Sequence, residues 1–242
     1  MFIFENPTVS PIVLSFLFAL FLFVLSFLTA GLKRYDSHII NFTAGLMFTY
    51  LFMTLLPNIF VRSNLPESQV LANTFFMFIG YIAFYVAEKR VFENTKIKTR
   101  VKTKIFDIRR AGFYVLHFIT GYLIIYTFRE KDILSTLLVL IPFTFHILAT
   151  SFLFEELDKW KNDPLDSRFL FPALIVIGSV SAIITTDLFG IDLVYFYSFF
   201  AGTYIYLVMS ILTPNHKHGT LTSFFLGIFF YFVLLLIGNG AA

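Results

Sequence analysis

The amino-acid sequence predicts an all-α integral membrane protein that crosses a lipid bilayer eight times. The chain is 58% hydrophobic and only 14% charged, whereas soluble domains are about 45–50% apolar and about 25% charged. Its mean hydropathy is +0.82. A water-soluble fold cannot cover so much apolar surface with so few charges, so lipid must be the solvent for much of the chain.

Eight long apolar runs predict the spans, because roughly 20 apolar residues are needed to cross the hydrocarbon core. None of the runs contains a lysine or an arginine. The first run is expected to be a retained helix, since Lys33 and Arg34 follow it and no basic residue precedes it. The length predicts a single membrane domain over residues 1–242. The predicted spans are 11–32, 39–61, 70–87, 111–128, 133–154, 169–186, 191–213 and 220–237.

The distribution of basic residues predicts which ends of the spans face the cytoplasm. If the N-terminus is outside, the cytoplasmic segments contain 15 of the 18 Lys and Arg residues. Only Arg62, Arg129 and Lys131 then lie outside. Because cytoplasmic loops are enriched in Lys and Arg, we expect a multi-pass protein of the cell membrane with both termini extracytoplasmic.

The segment 88–110 is predicted to be a basic cytoplasmic loop between the third and fourth spans. It contains nine Lys and Arg residues but only Phe92 and Phe106 as aromatic residues. An anchor near anionic lipid head groups is the simplest interpretation, and docking of another protein is the alternative. Nucleic-acid binding is not expected, because so few aromatic side chains are present for base stacking.

Spans two and seven share a pattern that predicts an internal repeat. The pairs Ala44-Gly45 and Ala201-Gly202 each precede a Leu-x-Pro-Asn sequence by nine residues, at a constant offset of 157 residues. Phe42 and Phe199 match at the same offset. Spans an odd number of positions apart cross in opposite directions, so the pattern indicates an inverted repeat. It relates helices 1–3 to helices 6–8, around helices 4 and 5.

Each repeat pattern ends in a pair of residues that predicts a helix break near a membrane surface. Pro57-Asn58 lies at the predicted outer mouth and Pro214-Asn215 at the inner mouth. Proline leaves a backbone carbonyl without its helical donor, so these breaks are candidate gating positions. The alternative is two ordinary helix ends, because Pro-Asn is also a common stop signal.

Two histidines inside the spans are the candidate metal ligands. His117 lies about 10 Å and His146 about 13 Å from the cytoplasmic edge, on neighbouring helices. Neutral imidazole is a common ligand of metal cations, and ionisable residues within spans indicate function. Thr120 and Thr150 lie one turn further along the same helix faces. The alternative is that both histidines are structural.

Charged and histidine residues near the cytoplasmic ends of spans five and seven are candidate exit residues for a cation. These are Glu155, Glu156, His216 and His218. An exposed His-Lys-His turn without function is the alternative for the second pair.

The layout and the short motifs resemble the ZIP (Zrt/Irt-like) metal transporters. The resemblance lies in the eight spans, the external termini, the long segment after span three and the Ala-Gly…Leu-x-Pro helices. It implies that spans four and five carry a divalent cation such as zinc. His117 and His146 match the histidines of the family's motifs, whereas Phe118 and Ile147 stand where an amide or carboxylate follows them. The resemblance therefore implies a divergent transporter with a reduced, two-histidine site.

The main alternative is a non-transporting membrane scaffold or regulator with the same fold. An enzyme is not expected, because five histidines scattered over the chain do not supply an iron-dependent lipid enzyme. The absence of cysteine excludes disulfides and thiolate metal sites. The expected partners are the lipid bilayer and a transported divalent metal ion, with no bound cofactor and no nucleic acid. A second copy of the chain, in a homodimer, is a further candidate.

Overall fold

A computed structural model describes the backbone of most of the chain. It covers residues 9–32, 35–60, 66–94, 98–130, 133–158, 165–190, 193–209 and 220–240. Within these ranges the side chains of residues 28–32, 94, 98–103, 106, 109, 130, 135, 150, 151, 153–158, 165–168, 193, 239 and 240 are not described.

The described residues form helices, which we number α1 to α8. The bounds of the first four are α1 Val9–Leu32, α2 Asp36–Phe60, α3 Glu67–Asn94 and α4 Lys98–Glu130. The other four are α5 Ile133–Asp158, α6 Leu165–Phe189, α7 Leu193–Leu207 and α8 Leu221–Gly240. Helix α2 is continuous but contains a π turn at Leu51–Leu55.

Six of these helices are long and apolar enough to cross a membrane, within the part of the chain that is described. They are α1, α2, α3, α4, α6 and α8. Helix α5 contains a shorter apolar stretch, Thr136–Ala149. The protein is therefore an all-α membrane protein with several long apolar helices, while the count of eight spans stays a prediction.

The described residues of the segment 88–110 are helical, while its place as a cytoplasmic connection between two spans stays a prediction. Helix α3 continues to Asn94 and α4 begins at Lys98. Lysine, arginine and glutamate are good helix formers, so the helices extend beyond their apolar parts. Lys89 and Glu93 also form an exposed ion pair at 3.9 Å, in the favourable i,i+4 spacing.

Three helix pairs pack most closely, and each has a glycine on both sides of the contact. A Cβ atom at Gly45 of α2 would overlap the backbone of α8, and one at Gly227 of α8 would overlap the backbone of α2. Gly80 of α3 and Gly202 of α7 have the same reciprocal relation. Gly121 and Gly178 join α4 to α6 in the same way.

Side-chain contacts give the relative directions of the packed helices. On α3 and α7, Phe76 is beside Tyr195 and Phe84 is beside Tyr206, so these two helices run in the same direction. Helices α2 with α8 and α4 with α6 are likewise parallel. Gly112 is beside Leu207 whereas Tyr126 is beside Tyr197, so α4 runs opposite to α7.

Helix α4 is the most buried of the six candidate spans. It packs against α6, α7, α3 and α5. At one end it is held by Arg129, which forms a bidentate ion pair with Asp187 of α6 at 2.9 and 3.0 Å. Its central position places His117 inside the helix bundle rather than facing lipid.

Candidate metal site and polar column

The two span histidines are both buried, each with only 2% of its surface exposed. They are linked through one residue of α4. The His146 ring packs against the Phe113 ring at 5.3 Å between centroids, and His117 bonds to the Phe113 carbonyl. The histidines are also near enough to interact electrostatically. The structure thus brings together the two residues that the sequence predicted to share a site.

The hydrogen bond of His117 determines which of its nitrogens is available to a ligand. Nδ1 lies 2.7 Å from the Phe113 carbonyl oxygen, which can only accept, so Nδ1 carries the hydrogen. The lone pair of the neutral ring is then on Nε2, which has no hydrogen-bond partner among the described residues. A backbone carbonyl that orients the second ring nitrogen is typical of metal-ligating histidines.

His146 has no hydrogen-bond partner at either ring nitrogen among the described residues. A buried polar atom without a partner costs about 1–3 kcal/mol. The neighbours of the ring are aromatic, with Phe113 on one helix and Tyr204 of α7 at 6.4 Å between centroids. Together with Nε2 of His117, the site therefore holds three unpartnered imidazole nitrogens within an aromatic shell.

The other two predicted ligands are Thr120, which is buried on α4, and Thr150 of α5. The Thr120 hydroxyl donates to the Leu116 carbonyl of its own helix at 2.8 Å, which leaves its oxygen able to accept or to ligate. The side chain of Thr150 is not described. Thr43 of α2, which the sequence analysis missed, contacts the carbonyl of Phe145 at 3.3 Å and so attaches α2 beside His146.

The predicted exit residues cannot be placed. The side chains of Glu155 and Glu156 are not described, and His216 and His218 lie outside the described residues, as do Pro214 and Asn215. Within the described part of the chain, no group of three or more His, Cys, Asp or Glu residues could hold a metal ion.

Pro57 and Asn58 lie inside α2, close to its end at Phe60 and just after the π turn. The Leu56 N–H bonds to the Leu51 carbonyl, five residues back. Pro57 has no N–H, so the next bond of this ladder cannot form. The π turn occurs where the proline interrupts the normal hydrogen bonding, and such turns are frequent at functional sites.

A cluster of buried tyrosines fills the space next to this π turn. The Tyr50 ring makes edge contacts with the rings of Tyr204, at 5.8 Å, and Tyr231, at 5.9 Å. The Tyr231 hydroxyl bonds to the Thr54 hydroxyl at 3.1 Å. The Tyr204 hydroxyl donates to the Met47 sulfur at 2.8 Å. The sequence analysis missed this cluster, although Tyr197 and Tyr204 lie seven residues apart on one face of α7.

The tyrosine cluster connects the histidine pair to Asn58. Tyr204 contacts both His146 and Tyr50. The Tyr50 and Tyr197 side chains are close to each other, and Asn58 is close to Tyr197. The Tyr50 hydroxyl has no hydrogen-bond partner among the described residues. We call this series of side chains, of which all but the half-buried Asn58 are buried, the polar column. Its members are His117, His146, Tyr204, Tyr50, Tyr197 and Asn58.

Comparison of the chain with protein-family models, with curated proteins and with solved structures found no match.

Proposed function

We propose that this chain is a divergent ZIP-like membrane transporter that carries a metal cation past His117 and His146. One observation carries the proposal, namely the three buried imidazole nitrogens on α4 and α5 that have no hydrogen-bond partner among the described residues. Buried polar atoms normally have hydrogen-bond partners in folded proteins. A cation bound to Nε2 of His117 and to one nitrogen of His146 would satisfy two of them.

The polar column supports a path for the ion. Helices α4, α5, α7 and α2 each contribute to it, and its two ends are the histidine pair and Asn58. Under the predicted topology, the histidines lie near the cytoplasmic side and Asn58 near the outer side. Polar groups within a membrane domain are costly and commonly mark ion pathways. A series of polar side chains through the interior of the helix bundle is the arrangement that transport needs.

We further propose the inverted repeat and eight crossings. Supporting the repeat, a Cβ at Gly227 would meet the Phe42 carbonyl oxygen, and one at Gly80 would meet the Phe199 carbonyl oxygen. Phe42 and Phe199 are the residues that match at the offset of 157. Supporting the crossings, the parallel pairs α2–α8, α3–α7 and α4–α6 are all an even number of helices apart. That is the relation expected if every helix crosses the membrane.

The donor set limits which cations the site would hold well. Two neutral imidazoles do not compensate the charge of a divalent ion, and uncompensated charge is expensive in a membrane. We therefore expect weaker retention than a carboxylate-rich site would give. Binding is also expected to weaken in acid, because protonation of imidazole competes with the metal.

The direct test is metal flux into proteoliposomes, measured with an indicator dye for Zn²⁺, Mn²⁺, Fe²⁺ and Cu²⁺. We expect flux of at least one ion, and loss of that flux in the variant with both His117→Ala and His146→Ala. His38→Ala is the matched control, because His38 is exposed and bonds to Ser223 rather than lying in the polar column. Undiminished flux in the double variant would remove the histidines from the mechanism.

A non-transporting scaffold or regulator is the second candidate function. It is favoured by the absence of any group of three or more metal-binding side chains among the described residues. Lack of flux for every ion of the panel, from protein that is folded and correctly inserted, would support this alternative. The proposed orientation has a separate test, since tags at residues 95 and 242 should report opposite sides of the membrane.

A further inference from the structure

An apolar groove on the helix bundle is separate from the polar column. It lies between α3, α4, α6 and α7 and has a volume of about 610 Å³. Its walls are largely aromatic and include Phe76, Phe118 and Phe199. The volume is within the range of about 300–1,000 Å³ that is usual for small-molecule sites. The groove is thus large enough for a ligand, and its lining suits a hydrocarbon one.

A basic side chain is hydrogen-bonded to one of the residues that line this groove. Tyr114 lines the groove, and its hydroxyl accepts a hydrogen bond from Nε of Arg110 at 2.8 Å. The Arg110 guanidinium is also 5.8 Å from the centroid of the Tyr114 ring. Guanidinium has five N–H donors, and the bond to Tyr114 uses one of them. Arg110 is the first residue of the apolar stretch of α4, so it lies at the edge of that candidate span.

We propose that the groove binds an anionic phospholipid, with an acyl chain along the aromatic walls and the phosphate at Arg110. The charges of α4 support this choice over a neutral lipid. Its first thirteen residues, 98–110, contain six Lys and Arg residues and one Asp, and such clusters at a membrane surface attract anionic lipids. Arginine also matches phosphate oxygens through paired hydrogen bonds. The inference requires membrane embedding but not the proposed transport.

The test is lipid retention in native mass spectrometry, using phosphatidylglycerol and phosphatidylcholine with identical acyl chains. We expect the wild type to retain phosphatidylglycerol preferentially. Arg110→Gln should reduce that preference about fivefold, the effect of one basic residue near an anionic surface. Arg110→Lys keeps the charge and should keep most of the preference, so it provides a second measurement if the Gln variant does not fold.

The groove itself is tested by filling it. Val115→Trp places a larger side chain in the groove and should lower retention of both lipids. Leu17→Trp is the matched control, because Leu17 lines a different apolar groove, between α1 and α5, and should leave retention unchanged. The proposal is overturned if the wild type binds both lipids equally, if Arg110→Gln keeps its preference, or if Val115→Trp behaves like the control. A dimer that Val115→Trp disrupts would instead assign the groove to a second copy of the chain.

Discussion

Replacing His146 by leucine tests whether this histidine binds a ligand or has a structural role. Both ring nitrogens of His146 are buried without a hydrogen-bond partner among the described residues. Each such atom costs about 1–3 kcal/mol. Leucine removes both atoms and can still pack against Phe113 and Tyr204. In metal-free protein we therefore expect His146→Leu to raise the free energy of unfolding by about 1–3 kcal/mol, allowing for imperfect packing of the new side chain.

The assay is thermal unfolding in detergent after treatment with a chelator, with and without added metal. At about 3 °C per kcal/mol for a chain of this length, His146→Leu should raise the metal-free Tm by about 3–9 °C. Metal at 100 times its Kd should stabilise the wild type by about 2.7 kcal/mol and should not stabilise the variant. His38→Leu is the control, and both of its values should match the wild type.

His117→Leu provides an internal comparison. It removes one unpartnered nitrogen but also the 2.7 Å bond to the Phe113 carbonyl. We expect its metal-free Tm to change less than that of His146→Leu. The reasoning would be refuted if His146→Leu unfolded at a lower temperature than the wild type, because its nitrogens would then have partners. If added metal still raised the Tm of His146→Leu, the proposed metal site would be refuted.

Three further predictions concern packing, the polar column and the end of α4. A Cβ at Gly202 would lie roughly 1 Å inside the 3.0 Å limit of real Cβ contacts and would meet backbone, so Gly202→Ala should destabilise the protein by about 1–3 kcal/mol. Gly112→Ala meets only movable side chains, and an equal loss of Tm in the two variants would contradict the packing argument. Tyr50→Phe removes a buried hydroxyl that has no hydrogen-bond partner among the described residues, so it should raise the unfolding free energy by about 1–3 kcal/mol. It should also lower cation flux, and unchanged flux would exclude the hydroxyl from the path. Asp187→Asn should change the midpoint of chemical or thermal unfolding only slightly, because water reaches its ion pair with Arg129. A large loss would show that the pair is more protected than its exposure indicates.

Much of the helical architecture follows from local sequence. The described bounds of α1, α4 and α8 contain or nearly match the runs 11–32, 111–128 and 220–237, because a long run of apolar residues forms helix in lipid and little else. The apolar runs did not indicate that the helices continue into 88–110, because an apolar run marks the part of a helix that lies in lipid and not where the helix ends. Lysine and arginine continue a helix into water as readily as leucine does.

The sequence identified His117 and His146 as the histidines within the spans, and the structure shows that both are buried and both contact Phe113. That they share a metal site stays a prediction. The tyrosine cluster was not anticipated, because tyrosine is as common in lipid-facing and interfacial positions as in cores. No periodicity in the separate helices indicates that Tyr50, Tyr204 and Tyr231 meet, since they come from three different helices.

The sequence alone determined that the chain is an all-α membrane protein and which residues of its spans can ionise, because hydrophobicity and residue type are local properties. Tertiary structure decided which polar groups are left without partners and which helices approach at their glycines. Those features depend on how separate helices pack together. Packing fixes the distances on which hydrogen bonds, metal coordination and backbone contacts depend.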